Sequence, residues 1–527
     1  MNGKSAAVKE FFKTTTRKQF LWIIIFYLAF SLYLLNKYQY QINTDNIIFI
    51  IIARKYLQGE FFKAINSFWQ PLMSWLLVPF LALPIKPLLA SKFLSILIGL
   101  FTLCGLRKLS FNLEISGQLR GFIMFFFAPL ISWHALSIST ADLLSTGIII
   151  YYLTVVFDDT YKRNYHKATL CGLLVGLASL AREYNLSFFI LHFSLINLIY
   201  YFKAISKEAK KRILINTLVG FLSCFFIYGS WVAVRSSKYH KLLIFPTASY
   251  SFGFIKPDSK GQIFEYGGFI RQSDDAEIYC TDEYYFRDTQ KWHWSPFKSR
   301  KDLIYEIKNI FKNGGIYFMG VLRNPLSFLG LIYIIWSLFF LIKRPFKVNE
   351  KLSLFMLTIV LYPLGYLFIM MHNRYVQVSH FLLIMAGGQA LGIILSHKFL
   401  NKAKRLAILI IIFIFMLIPI FRDAYSKPNI GKEFYDLSEQ GSSYYEFKEK
   451  KIASQHGAWQ EGFFLSFYWD SKYFGQSPEE ISDEQLWFEL KSFNIDYYLV
   501  KGVSNNNLKN LVLERKLGIL SLYKVLK

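Results

Sequence analysis

Four charged residues stand out in a chain that is otherwise strongly apolar. Asp45 lies in Ile42-Asn43-Thr44-Asp45-Asn46, just past the first apolar run. Asp142, in Ser139-Thr140-Ala141-Asp142-Leu143-Leu144-Ser145, opens another such run. Arg182 sits in Ala181-Arg182-Glu183-Tyr184 between two runs, and Arg374 in His372-Asn373-Arg374-Tyr375 next to a further one. An acid beside an apolar slab is costly unless it has a partner or a use. A carboxylate can accept the proton of an attacking hydroxyl. A guanidinium can hold an anionic phosphate by two parallel hydrogen bonds. The four together suit a reaction in which a phosphate departs and a nucleophile loses a proton. Each also has an ordinary reading: helix N-caps for the aspartates, and snorkelling to lipid headgroups for the arginines.

These residues must be positioned by membrane elements. The chain has 527 residues, 54% hydrophobic and 19% aromatic, with a mean hydropathy of +0.31. Soluble globular chains are usually less apolar. Eleven runs read as spans, at 20–36, 88–106, 120–137, 141–157, 168–181, 186–202, 213–234, 326–342, 352–371, 375–396 and 405–421. A twelfth piece, 69–84, is short and interrupted by Pro79 and Pro84, which predicts a re-entrant or interfacial segment. The first run follows a basic stretch but lacks a small-residue cleavage site, so it is expected to stay as a helix.

The formal net charge of +25 would suggest a nucleic-acid partner in a soluble protein. Its distribution argues against one. Segments 1–19, 107–120, 158–167, 203–212, 343–351 and 397–405 together carry about +18, in runs such as Lys207 to Arg212 and Lys343-Arg344. Short basic loops belong in the cytoplasm. Segment 422–527 carries about −1, and loop 235–325 about +4. Loops that long translocate regardless of charge. The expected protein is a multi-pass protein of the cell (inner) membrane, with a cytoplasmic N-terminus and a non-cytoplasmic C-terminal piece. Joining 168–202 into one span would put the basic run after it outside, so two spans are kept and Arg182 faces outward. Loop 37–87, the turn near 138–142, loop 235–325 and segment 422–527 then share the outer side.

After Asp45 comes an apolar helix, Ile47 to Gly59, with a basic end and too short to span. It is expected to lie in the interface, which places Asp45 at headgroup depth. The C-terminal piece reads as a small α/β unit: a strand at 451–454, a helix over 483–493, a strand at 496–500 and a final strand at 517–525. The fold class is thus a polytopic α-helical membrane protein with about eleven spans and interfacial helices in its first outer loop. A membrane domain, 1–421, precedes a small soluble α/β domain, 422–527. Cys104, Cys171 and Cys224 lie in apolar runs and Cys280 in a polar loop, and the nine histidines are scattered. No Cys/His metal spacing occurs, and nothing in the sequence requires a metal or other cofactor. No internal repeat is evident.

The run Asp45…Ala53-Arg54…Gly59…Gln70-Pro71-Leu72 resembles the first outer loop of the GT-C glycosyltransferases, in the branch of protein O-mannosyltransferases and lipid A aminoarabinose transferases. Further similar pieces are Thr140-Ala141-Asp142-Leu143-Leu144, Gly172 through Gly176 to Arg182, and Arg374-Tyr375. Each motif is short, but they share order and sidedness over most of the chain. The resemblance implies a catalytic membrane domain over 1–421 with a cavity that admits a polyprenyl-phosphate sugar. It implies that Asp45 is the catalytic carboxylate and that Arg182 lies near the cavity. It also implies that loop 235–325 contributes to donor-phosphate binding, through Arg271 or Lys256. The chain departs from the pattern at Asn46, where many mannosyltransferases have Glu. It departs at Gln70, where the aminoarabinose transferases have Lys, and at His380, where Pro often follows. These substrate-loop differences leave the donor sugar and the acceptor open.

The expected function is inverting transfer of a sugar from polyprenyl phosphate to a glycan, lipid or protein acceptor of the cell envelope. Asp45 would take the acceptor proton, Asp142 would support it or orient the acceptor, and Arg182 and Arg374 would stabilise the phosphate. An envelope polysaccharide polymerase or ligase is one alternative. It usually lacks an acid after the first span and a terminal α/β domain. A transporter or lipid flippase is another, disfavoured by the absent repeats and the few mid-span charges.

Overall fold

The computed structural model describes residues 17–113, 115–248, 294–343, 350–426, 431–440, 444–502 and 510–526, with 251, 255, 257, 268, 269 and 429. Arg271, Lys256 and Cys280 lie outside the described residues. The chain forms two compact units: 1–39, 70–245 and 299–428 in one, and 40–69, 246–298 and 429–527 in the other.

The first unit is helical. Among the described residues, eight helices are long and apolar enough to cross a membrane. They are Arg17–Tyr38, Pro87–Asn112, Gly117–Ser137, Tyr184–Lys203, Lys207–Tyr239, Lys351–Phe368, Gln377–Leu395 and Lys402–Ser426. A ninth span results if Arg300–Leu322 and Pro325–Phe339, bent by 114° at their junction, count as one. The protein is a polytopic membrane protein, with eight or nine full-length spans among the described residues against the eleven expected. Each expected run is helical, but Ala141–Val156 and Tyr165–Ala181 have only 16 and 17 residues. At about 1.5 Å per residue they fall short of a core about 30 Å thick. Ala141–Val156 is buried along almost its whole length, so protein rather than lipid surrounds it. Leu72–Leu81 is a 10-residue helix with Pro79 inside it, far too short to span. Arg300–Leu322 falls within the expected loop 235–325. Its Arg, Lys, Asp and Glu residues lower its hydropathy below that of a span.

The second unit contains a six-stranded mixed sheet. Its order is Gly268–Phe269, Lys472–Gln476, Lys451–Ser454, Tyr497–Lys501, Leu520–Val525, Leu511–Leu517. Lys451–Ser454 pairs in parallel with both of its neighbours, and the remaining pairings are antiparallel. Tyr497 and Leu499 join one apolar cluster with Trp469 and Leu522, while Tyr498 and Val500 join another with Leu486 and Leu490. That central strand is therefore buried on both faces, as an unbroken apolar run predicts. The expected strands at 451–454 and 496–500 and the helix over 483–493 are present within a residue or so. The strand Lys472–Gln476 and the helix Trp459–Trp469 were not foreseen.

The first-loop helix belongs to this unit and runs Thr44–Leu57. Asn46 through Ala53 are all buried. Protein thus covers the helix over this stretch, as an apolar run on all sides requires. Arg54 reaches Asp470 at 3.0 Å and lies over the Phe467 ring, at 5.6 Å. Asp470 ends the Trp459–Trp469 helix in the left-handed region (φ 55°), which Asp tolerates better than most residues.

Candidate functional site

Asp142 stands in the first turn of the Ala141–Val156 helix, where the helix dipole favours an anion. Thr140 precedes the helix and donates its hydroxyl to Asp142 Oδ2, at 2.6 Å, and it accepts no backbone N–H as a cap would. Arg182 Nε contacts Asp142 Oδ1, and Arg374 Nε lies 3.7 Å from Oδ2. The structure thus gathers three of the sequence-predicted residues around one carboxylate. The Asp142 side chain is 3% exposed, against 25% for Arg182 and 23% for Arg374. The carboxylate lies behind and the guanidiniums in front. Two partly exposed guanidiniums thus converge on one buried carboxylate.

Local structure explains why the arginines meet there. The Tyr165–Ala181 helix stops at Arg182, whose backbone is extended (φ −148°). Asn185 then stitches the break. Its side-chain amide donates to the carbonyls of Ala178 and Arg182, at 2.9 and 3.0 Å. The same amide reaches Ser145 Oγ, at 2.7 Å, one turn below Asp142. Carbonyls that a helix end leaves unpaired are satisfied in this way. Arg374 sits in the link between the Glu350–Phe368 and Gln377–Leu395 helices. Asn313 and Asn309 fasten that link, donating to the carbonyls of Leu367 (2.8 Å) and Ile369 (3.3 Å). Both asparagines lie on the unforeseen Arg300–Leu322 helix.

The two guanidiniums are also held by aromatic faces. The Arg182 guanidinium lies 4.1 Å from the Tyr375 ring centre, and that of Arg374 5.1 Å. Tyr375 packs on Tyr366, and Tyr366 on Tyr184. Burial by itself would disfavour the charge on Arg182, but the Asp142 carboxylate outweighs it and raises its pKa well above the ordinary arginine value. The cation is permanent.

Gln70 is buried and donates to Glu183 Oε2 at 3.2 Å. Arg235, wholly buried, lies 3.9 Å from the same oxygen. It also donates to the carbonyls of Leu243 (2.8 Å) and Ile244 (2.9 Å) and to the Tyr228 hydroxyl (2.9 Å). Glu183 therefore ties the start of the Leu72–Leu81 segment and the chain after the Lys207–Tyr239 helix to the residue next to Arg182. Sequence reasoning did not single out Glu183, Asn185 or Arg235, and it gave Tyr375 no role of its own. The available signal was an acid and an arginine set within apolar runs.

Asp45 and Asn46 lie in the second unit. Asp45 is not the N-cap of its helix. Asn43 is, its side chain accepting from the Asn46 backbone N–H at 2.9 Å. Asp45 occupies the first turn, half-buried, so capping does not explain its presence. Among the described residues, no group of three His, Cys, Asp or Glu is gathered as a metal site needs.

No protein-family model and no curated protein matches the sequence. Solved structures do. ArnT from Cupriavidus metallidurans bound to undecaprenyl phosphate matches with a TM-score of 0.59 and 10% identity, over 95% of this chain and 97% of that one. The same enzyme in its apo state matches at 0.56 with 11% identity and the same coverage. The archaeal oligosaccharyltransferase AglB from Archaeoglobus fulgidus, in complex with an inhibitory peptide and a dolichol-phosphate, matches at 0.52 with 11% identity, over 91% of this chain and 69% of that one. Similarity this extensive at such low identity is one of fold, and the chain has the GT-C fold that ArnT and AglB share.

Proposed function

We propose that the protein is a membrane glycosyltransferase that moves a sugar from a polyprenyl-phosphate carrier to an envelope glycan, lipid or protein, with inversion. A fold hosts many functions, so the argument must come from the site. The observation that carries it is the pair Arg182 and Arg374, both partly exposed and braced by the buried Asp142. A guanidinium pair of this kind suits a phosphate that gains charge as its bond to the sugar breaks. ArnT binds undecaprenyl phosphate, which supports a carrier of that class here.

In this reading the acceptor hydroxyl attacks the anomeric carbon from the face opposite the phosphate. The carbon–oxygen bond to phosphate breaks, and polyprenyl phosphate leaves as an anion that needs no strong general acid. Arg182 and Arg374 stabilise that anion. Asp142 orients them, and its pairing with two cations makes it a poor proton acceptor. Asp45 takes the acceptor proton, a role supported by the first-loop resemblance. Arg271 stays a candidate phosphate contact from the long loop, with Asn46 and Gln70 as determinants of substrate choice. The catalytic face is non-cytoplasmic in this reading, because the basic loops belong to the other side.

The test is transfer by purified, reconstituted protein from defined polyprenyl-phosphate sugars, followed by mass spectrometry of the released carrier. Asp45→Asn should lower the rate by about 100- to 1,000-fold, or roughly 3–4 kcal/mol, with normal expression. Wild-type rates in that variant would remove Asp45 from the reaction. Mass spectrometry of envelope glycans from a deletion strain would identify the acceptor.

A further inference from the structure

We propose that a cavity of about 360 Å³ at the start of the Lys207–Tyr239 helix is a headgroup site for an anionic membrane lipid. It is lined by Lys162 and Arg163 from the short turn Tyr161–Arg163, by Lys203 from the end of the preceding helix, and by Ser206, Glu208 and Arg212. Four cations face one acid. Ser206 caps the long helix, accepting from the Ala209 N–H at 3.1 Å, so the positive end of that helix also points there. Tyr200 forms part of the wall, with Lys162 Nζ 4.3 Å above its ring.

Basic residues at helix ends are ordinary topology signals, and neighbouring ones are matched by carboxylates. Lys167 pairs with Asp158 at 2.5 Å and Lys351 with Asp159 at 2.9 Å. Arg163, Lys203 and Arg212 are different. Among the described residues none has a carboxylate partner, although all three line one concavity. Three cations converging with no carboxylate paired to them suit a phosphate group.

A free phosphate and a phospholipid headgroup offer the same group. The surroundings favour the lipid. Phe202 is 72% exposed, Leu214 57% and Ile205 wholly exposed, all within a few residues of the basic lining. Acyl chains would cover these side chains while the headgroup occupies the cavity, and a soluble phosphate would leave them bare. Basic pockets between helices on one membrane face are suited to such headgroups. The site lies at the ends of the Tyr165–Ala181 and Tyr184–Lys203 helices opposite to Arg182 and serves no step of the proposed reaction.

The experiment is native mass spectrometry of the full-length protein in detergent, titrated with phosphatidylglycerol or phosphatidylcholine. Phosphatidylglycerol should be retained at least about tenfold better, since each basic residue near an anionic surface contributes roughly fivefold. Lys203→Gln with Arg212→Gln should reduce its retention to the phosphatidylcholine level. Glu208→Gln, which removes the single acid, should raise it. Lys398→Gln with Lys402→Gln, an equal loss of charge elsewhere, should leave the preference intact. Thermal unfolding of each variant checks that the fold is retained. Equal retention of the two lipids, or an unchanged preference in the Lys203/Arg212 variant, overturns the proposal. So does displacement of phosphatidylglycerol by millimolar inorganic phosphate, which would assign the cavity to a soluble anion.

Discussion

A buried carboxylate in a membrane helix needs compensation, and Asp142 receives it from Arg182, Arg374 and Thr140. Removing one partner of such a cluster leaves charge unmatched. Asp142→Asn is therefore expected to destabilise the protein by about 3 kcal/mol, towards the lower end for buried pairs because the arginines are partly exposed. A double-mutant cycle with Arg182→Gln should show a coupling of about 1–3 kcal/mol in thermal unfolding. Arg182→Lys is a different perturbation. It keeps the charge but loses the planar fork and the stacking on Tyr375. The fold should persist while transfer falls on the order of 100-fold, read as kcat/KM for the polyprenyl-linked donor. An unchanged kcat/KM would separate Arg182 from the phosphate.

At the scale of elements, the arginines depend on helix breaks and on close helix contacts. Asn185 closes the break after Ala181 and reaches across to Ser145. Asn185→Ala would leave buried carbonyls without donors, at a cost of about 1–3 kcal/mol, and should lower transfer by loosening Arg182. The two effects are measured separately, by unfolding and by turnover. Gly172 has no room for a Cβ because the Gly220 carbonyl approaches it, and Gly387 is crowded in the same way by the Leu326 carbonyl. Small residues permit such approach between membrane helices. Gly172→Val or Gly387→Val should force the helices apart and lower the unfolding temperature by several degrees. These contacts join helices distant in sequence, so a single chain read by hydropathy could not reveal which glycines mattered. Arg300–Leu322 was hidden for another reason: its charges lower its hydropathy, and only packing showed that Asn309 and Asn313 fasten the Arg374 link.

At the scale of the whole molecule, the first-loop helix Thr44–Leu57 folds with the C-terminal sheet, through contacts such as Arg54 to Asp470. A chain ending at residue 428 should therefore expose the apolar residues of that helix. Limited proteolysis is expected to cut within 40–69 in the truncated protein and to spare that segment in the intact one. The proposed orientation has its own test. In a cysteine-free background, Ser206→Cys should resist a membrane-impermeant maleimide in intact cells, while Asp483→Cys should react. The reverse pattern would invert the topology and move the reaction to the other side.

The sequence by itself determined that this is a multi-pass membrane protein with a small terminal domain containing a sheet, because hydropathy and periodicity are local properties. It also marked Asp45, Asp142, Arg182 and Arg374, since isolated charges are conspicuous in apolar surroundings. Only the tertiary structure decided that Asp142, Arg182 and Arg374 form one cluster with Tyr375 in front of a buried carboxylate. Only it showed that Glu183 gathers Gln70 and Arg235, and that Asn43, not Asp45, caps the first-loop helix. The physical reason is common to all of these. Contacts across tens or hundreds of residues depend on how helices pack, and a helix's own sequence fixes which face is apolar but not which neighbour covers it.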